Sequence, residues 1–194
     1  MIIDIKKLRV IISSGIAVSL VVVSAGVLSG RVPGFPMREG PLEGPSGVTL
    51  AAPVRAEHTG AIWGSLVLEN HSGSAIVLDS VTVADNPQNL PQTVPPYLWD
   101  KTRIERLGFA TVDRQLPLPA EWRLPERLPV QGHVLEPAPD DAEVLIEFGV
   151  PQRTSTVSGI TVRYHVGWLA YRKTFDLKLT LCPPADRGAC RRRS

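Results

Sequence analysis

The hydrophobic rhythm of the chain changes twice along its length. From Leu8 to Leu28 the residues are Ile, Val, Leu, Ala, Gly and Ser without a period, and Arg9 is the one charge among them. A helix rises about 1.5 Å per residue and needs roughly 20 apolar residues to cross a bilayer, so this run predicts a transmembrane signal-anchor helix over 8–28. The stretch 29–47 then loses all apolar patterning, with Pro33, Pro36, Pro41 and Pro45 set among Gly34, Gly40 and Gly44. Proline stiffens such a segment and glycine bends it, which predicts a linker.

Beyond Val48 short β-branched runs alternate with turn residues, the pattern of an all-β sandwich or barrel. Ile62–Glu69 and Ala75–Ala84 are expected strands, joined through Asn70-His71-Ser72-Gly73 and expected to pair as a hairpin. In the second of them Ile76, Leu78 and Ser80 fall on one face and Val77, Asp79, Val81 and Val83 on the other. Weaker strand signals cover Arg103–Val112 and Val130–Leu135, and Glu143–Val150 has the apolar density of a central strand. The clearest alternation is the last one. Ile160, Val162, Tyr164 and Val166 interleave with Thr161, Arg163 and His165, and after Gly167 the residues Phe175, Leu177, Leu179 and Leu181 interleave with Asp176, Lys178 and Thr180. One face of this hairpin is expected in the core, with Arg163 and Lys178 in water.

Proline-rich Asn86–Leu98 and Leu116–Pro129 are expected as long loops, because a proline within a central strand removes a ladder donor. Their aromatics Tyr97, Trp99 and Trp122 either form an interaction platform or fold back to cap the sandwich. Seven or eight strands with no helix long enough for a βαβ crossover predict an immunoglobulin-like β-sandwich over 48–182, preceded by one N-terminal transmembrane helix. A small barrel is the alternative.

Lys6, Lys7 and Arg9 precede the apolar run, and the positive-inside bias places residues 1–7 in the cytoplasm and the rest outside it. Val23-Ser24-Ala25 also offers a signal-peptidase site, in which case the domain is secreted, on the same side of the membrane. The whole chain has 21 basic and 19 acidic residues. Setting aside Lys6, Lys7, Arg9 and Asp4 balances the remainder, so no broad field steers a polyanion and a nucleic-acid partner is not expected. Arg191, Arg192 and Arg193 form a basic tip that reads as solvated tail. Cys182 and Cys190 are the only two cysteines. In an exported chain they are expected to form a disulfide that staples the tail 183–194 to the last strand.

Chemistry is harder to find. His58, His71, His133 and His165 have no paired ligand spacing, and no nucleophile elbow, phosphate loop or His-Glu-x2-His is present. No catalytic residue, metal ligand or cofactor site is therefore assigned. Glu136, Asp140, Asp141 and Glu143 cluster around Pro137 and Pro139 without the alternation of a calcium loop, and a solvated turn is the expectation. Asn70-His71-Ser72 matches a glycosylation sequon.

The final hairpin, from Ile160-Thr161-Val162-Arg163-Tyr164-His165-Val166-Gly167 through Lys173-Thr174-Phe175-Asp176-Leu177 to Cys182, resembles, together with the single N-terminal helix, membrane-anchored proteins of actinobacteria that have no assigned function. The resemblance spans that hairpin and the layout, and 16 arginines against five lysines accord with a high-GC genome. It implies an envelope address and carries over no functional residue.

Three functions follow from these readings. The first is a non-enzymatic, membrane-anchored extracytoplasmic module that offers loops or a strand edge to an envelope protein or a cell-wall polymer. The second is an envelope hydrolase or transferase built from scattered residues such as His133, Asp140 and Glu143. The third is an accessory or sensor subunit whose helix pairs with a membrane partner through Gly15 and Ser19.

Overall fold

The computed structural model describes residues 40–108, 115–119, 127–138, 140–186, 188 and 190. The expected anchor 8–28, its flanks, Trp122 and the Arg191–Arg193 tip lie outside the described residues. Among the described residues no helix is long and apolar enough to cross a membrane.

Among the described residues, eleven strands build two facing sheets. They are β1 (Leu42–Glu43), β2 (Val48–Pro53), β3 (Gly60–Asn70), β4 (Ile76–Asp85), β5 (Tyr97–Asp100), β6 (Gln115–Leu116), β7 (Leu128–Pro129), β8 (Val134–Leu135), β9 (Asp141–Gly149), β10 (Ser155–Val166) and β11 (Leu169–Cys182), with one short helix, α1 (Lys101–Leu107), after β5. One sheet has the order β1-β3-β9-β5-β7, with β6 also on β3, and the other has the order β2-β11-β10-β4-β8. Pairing is antiparallel except for β2, which runs parallel to β11. The first stretch of chain thus serves one sheet as β1 and the other as β2. That split, and the order around β3-β9 and β10-β11, make this an immunoglobulin-like sandwich.

β10 and β11 form as the alternation predicts, joined at Gly167-Trp168 and paired from Ser155↔Leu181 to Val166↔Leu169. Ile160, Val162, Tyr164, Phe175, Leu177, Leu179 and Leu181 are buried, while Arg163 and Lys178 are exposed. Gly159, in a left-handed conformation (φ 70°), sits at the one irregularity of this ladder, between Ser158 and Ile160. A side chain there would be both strained and pressed on Ala84. β9 is the centre of the other sheet, and the main core between the sheets is built from its Val144, Ile146 and Phe148 with residues such as Trp63, Leu66, Tyr164 and Leu179.

Several expectations are corrected. β3 and β4 do not form a hairpin: β3 pairs with β1, β6 and β9, and β4 with β10 and β8, in the opposite sheet. The connection crosses the sandwich because Asn70, itself buried, fixes it. Its amide nitrogen donates to the carbonyls of Ser74 (2.9 Å) and Leu135 (2.8 Å), and its Oδ1 accepts from the backbone N–H and hydroxyl of Ser72. The sequon asparagine is thereby fully engaged in structure. Alternation in β4 also breaks: Tyr164 lies opposite Leu78 and Arg163 opposite Ser80, so Asp79 is an extra residue. This bulge turns Val81 and Val83 to the same core face as Ile76 and Leu78.

Arg103–Val112 is not a strand in its described part. Lys101–Leu107 is helical because the Asp100 side chain accepts from the Arg103 N–H (2.9 Å) and Gly108, at φ 74°, donates to the Ile104 carbonyl. Of Val130–Leu135 only Val134–Leu135 is a strand, β8; Val130 to His133 form the connection to it from β7, which serves the other sheet. The expected loops contain the paired residues Tyr97, Leu98, Leu116, Leu128 and Pro129. Pro129 is admitted because β7 is an edge strand, where its missing N–H leaves no ladder bond unmade. Nor is the linker a linker to its end, since β1 lies within 29–47. There Leu42 is buried, its carbonyl accepts from Lys173 Nζ (2.7 Å), and Gly40 packs on Tyr164 and Tyr171.

Candidate functional site

The sheet of β9 has two buried faces, which is unusual for the outer side of a sandwich. On the side away from the main core, Ile62, Tyr97, Trp99 and Leu145 form a second apolar cluster, with Val94, Ile104, Leu116 and Leu118 packed on it. α1 and the proline-rich segments therefore cover this face. Tyr97 and Trp99 are only 4% and 2% exposed, so their rings are packed under that cover.

Two acids share the covered face. Glu143 lies opposite Val67 and Trp99, and Glu147 opposite Ile62. Burying a carboxyl group is costly without partners, and Glu147 has three. Its Oε1 accepts from the Tyr97 hydroxyl (2.8 Å) and from Arg127 (2.8 Å), and its Oε2 accepts from the Thr93 hydroxyl (3.3 Å). Arg127 also lies over the Tyr97 ring, 5.0 Å from its centroid. Burial first, and then the hydrogen bond to Glu147, push the Tyr97 phenol well above its ordinary range. Arg127 and Glu147 were not singled out in the sequence. The signal was available: in Glu143-Val144-Leu145-Ile146-Glu147 the acids fall two apart from Leu145 on one face of an otherwise apolar strand.

Arg127 and Tyr97 stand at the wall of a cleft of about 450 Å³ that opens beside β4. Val94, Pro95, Pro96 and Pro129 form the remaining apolar wall, and Asp79 to Val81 form the other side. Beyond Leu78, which exchanges backbone hydrogen bonds with Gly132 and His133, no described strand lies on the outer edge of β4. The cleft therefore runs along an open strand edge. At one side Asp79 Oδ1 is held by His165 Nδ1 (2.9 Å).

A second cleft, of about 570 Å³, lies toward the C-terminal end of the sandwich between the Gln88–Pro91 and Val150–Ser155 turns. Near it the disulfide joins Cys182, the last residue of β11, to Cys190, with the Cα atoms 6.1 Å apart and both cysteines buried. The expected staple is present. Closing so short a loop stabilises by about 2–3 kcal/mol at most on chain-entropy grounds. Asp186 ties the same tail to Thr154 through its hydroxyl (3.2 Å).

The scattered hydrolase residues sit in different parts of the domain. His133 lies in the turn before β8, where burial lowers its pKa and the Asp140 and Asp100 charges raise it less. Asp140 accepts from the backbone N–H of Glu136 (3.0 Å) and so closes a local turn. Glu143 is fully buried in β9. None of the three lines either cleft. Among the described residues no three His, Cys, Asp or Glu side chains converge as a metal site. Gly15 and Ser19 lie outside the described residues.

No family model and no curated protein matches the chain. Among solved structures, it is similar over 72% of its length to the VesB protease of Vibrio cholerae, at 9% identity and a TM-score of 0.32, and the match takes in only 32% of that protease. It is also similar over 76% of its length to PapD-like domain 7 of human CEP192, at 17% identity and a TM-score of 0.33, covering 90% of that domain.

Proposed function

We propose that this chain is a non-enzymatic interaction module, held outside the cytoplasmic membrane by residues 8–28, whose cleft beside β4 takes an extended segment of an envelope protein. The observation that carries the reading is the open outer edge of β4 above an apolar, proline-walled groove. A bare strand edge offers backbone donors and acceptors to an incoming strand, and a neighbouring pocket selects among its side chains. Proline walls lose little conformational entropy on binding because they are already rigid. The Arg127–Glu147–Tyr97 cluster fixes one wall in place. The joined Cys182–Cys190 pair accords with an oxidising compartment outside the cytoplasm.

Site-specific photo-crosslinking in the full-length protein, in its own membrane, tests the proposal. A crosslinker at exposed Gln131, on the cleft rim, is expected to give one discrete protein adduct, joined through an extended stretch of the partner. The same crosslinker at exposed Lys178 is expected to give none, and Pro96→Arg is expected to abolish the Gln131 adduct. Identical adducts from both positions, or none from Gln131, would overturn the cleft as the binding surface. Protease added to spheroplasts tests the address separately: the sandwich is expected to be attacked, and full protection would invert the topology.

A further inference from the structure

We propose that the polar cleft between the Gln88–Pro91 and Val150–Ser155 turns binds a saccharide bearing a carboxylate, at a site separate from and independent of the groove beside β4. The lining determines the ligand class. Gln88, Asn89 and Gln152 contribute primary amides, Arg153 contributes a guanidinium, and no acidic side chain lines the cleft. Arg153 is exposed and forms no ion pair among the described residues. Asp186, the nearby acid, is hydrogen-bonded to Thr154 and lies outside the lining.

One of these amides and the two turns that carry the lining are also held in place before any ligand arrives. Gln88 Oε1 accepts from the Thr156 N–H (3.2 Å), which orients the amide and leaves its Nε2 hydrogens without a partner among the described residues. The turn that carries Gln88 and Asn89 is closed by Asn86, whose side chain accepts from the Leu90 N–H (2.8 Å) and donates to the Leu90 carbonyl (2.9 Å). Asn89 adopts the left-handed conformation at φ 52°, which asparagine tolerates better than most residues. On the facing turn, the Ser155 hydroxyl donates to the Arg153 carbonyl (2.8 Å).

Amide donors and acceptors around one exposed, unpaired cation match many hydroxyl groups and a single carboxylate. The volume of about 570 Å³ lies within the roughly 300–1,000 Å³ of small-molecule sites. A peptide C-terminus needs an apolar pocket for its last side chain as well as a carboxylate site, and here the apolar lining is confined to Leu90, Pro91, Val150 and Pro151. An acidic saccharide is therefore the better match.

The test uses the full-length protein in nanodiscs, titrated by calorimetry with a trisaccharide that carries one galacturonate unit, the uronate, and with the same trisaccharide carboxyl-reduced to the neutral sugar. Saturable binding of the uronate is expected, weakened at least tenfold on carboxyl reduction, at least tenfold in Arg153→Ala, and less in Arg153→Lys. Arg153 is exposed, so both variants are expected to fold, as circular dichroism would verify. Three results would overturn the proposal: no saturable uronate binding, equal binding by Arg153→Ala, or tighter binding of a tripeptide with a free carboxylate than of the uronate.

Discussion

The two faces of β9 are both buried, yet they are built on different rules. Toward the main core it presents Ala142, Val144, Ile146 and Phe148, all 0% exposed. Toward α1 and the proline-rich segments it presents Glu143, Leu145 and Glu147. The inner face meets a second sheet, and apolar area removed from water supplies its stability at about 25 cal/mol per Å² without directional demands. The outer face carries acids, which are tolerable only where donors meet them, and for Glu147 these come from Thr93 and Tyr97 in one proline-rich segment and Arg127 in the other. Inner packing therefore specifies the fold. Outer polar pairing specifies where the covering segments lie, and hence where the wall of the β4 cleft stands.

The largest contrast comes from placing a charge in the inner layer. Leu179→Asp puts a carboxylate at a fully buried position of the apolar core, and a loss above about 4 kcal/mol is expected, enough to unfold the domain. The measurement is solubility and urea unfolding of the variant. A folded Leu179→Asp protein of near-normal stability would mean that the inner face is not the closed layer described here.

An intermediate effect is expected on the outer face. Arg127→Ala leaves the Glu147 carboxyl group short of one donor, but the Arg127 side chain is 53% exposed, and solvent screens much of what it contributes. A loss of about 1 kcal/mol is expected for Arg127→Ala, and more for Glu147→Ala, which strands the Tyr97 hydroxyl and Arg127 together. In a double-mutant cycle the two changes are expected to couple by at least about 0.5 kcal/mol. Additive losses would show that Arg127 and Glu147 are not one unit, and would detach the cleft wall from the outer face.

What the sequence made legible follows the same division. The β10–β11 hairpin and the central place of β9 were readable because a strict two-residue period over one buried face survives any choice of neighbour. The partnering of β3 and β4 was not. Asn70-His71-Ser72-Gly73 signals a turn, but a turn within one sheet and a crossing between two sheets share their residue types, and only the reach of the Asn70 side chain to Leu135 decides between them. α1 was missed because seven residues give too little of the helical period, although Asp100 and Gly108 bracket it with caps. The site residues Thr93, Tyr97, Arg127 and Glu147 are spread over 55 positions and are brought together only by sheet order.

Alkaline pH separates the two faces more gently. Tyr97 belongs to the outer face and Tyr164 to the core, and burial pushes the latter's pKa to about 12 and the former's upward as well. Each phenol is neutral in the folded state well past the pH at which it would ionise in the unfolded chain. Its contribution is thus complete below pH ~10 and is lost as pH rises toward the folded-state values. Tyr97→Phe is expected to cost about 1 kcal/mol at neutral pH, because Glu147 loses a donor. It should also flatten, without abolishing, the fall in stability between pH ~10 and ~12. Urea midpoints collected across that window would show it, and an unchanged slope in Tyr97→Phe would remove Tyr97 from the buried outer face.

The smallest effect is the control for the whole comparison. Lys178 is the immediate neighbour of Leu179 on β11, but the two-residue period sends it to water, across from Ser158 on one side and Thr49 on the other. Neither cross-strand neighbour is charged, so Lys178→Glu creates no like-charge pair across the ladder. Its stability is expected to stay within about 0.5 kcal/mol of the parent, as for surface substitutions generally. A Lys178→Glu loss that approached the Leu179→Asp loss would mean that the outside of this sheet is covered too, by a part of the chain beyond the described residues or by another molecule. The one-sided burial assigned to β11 would then give way to the two-sided kind found in β9.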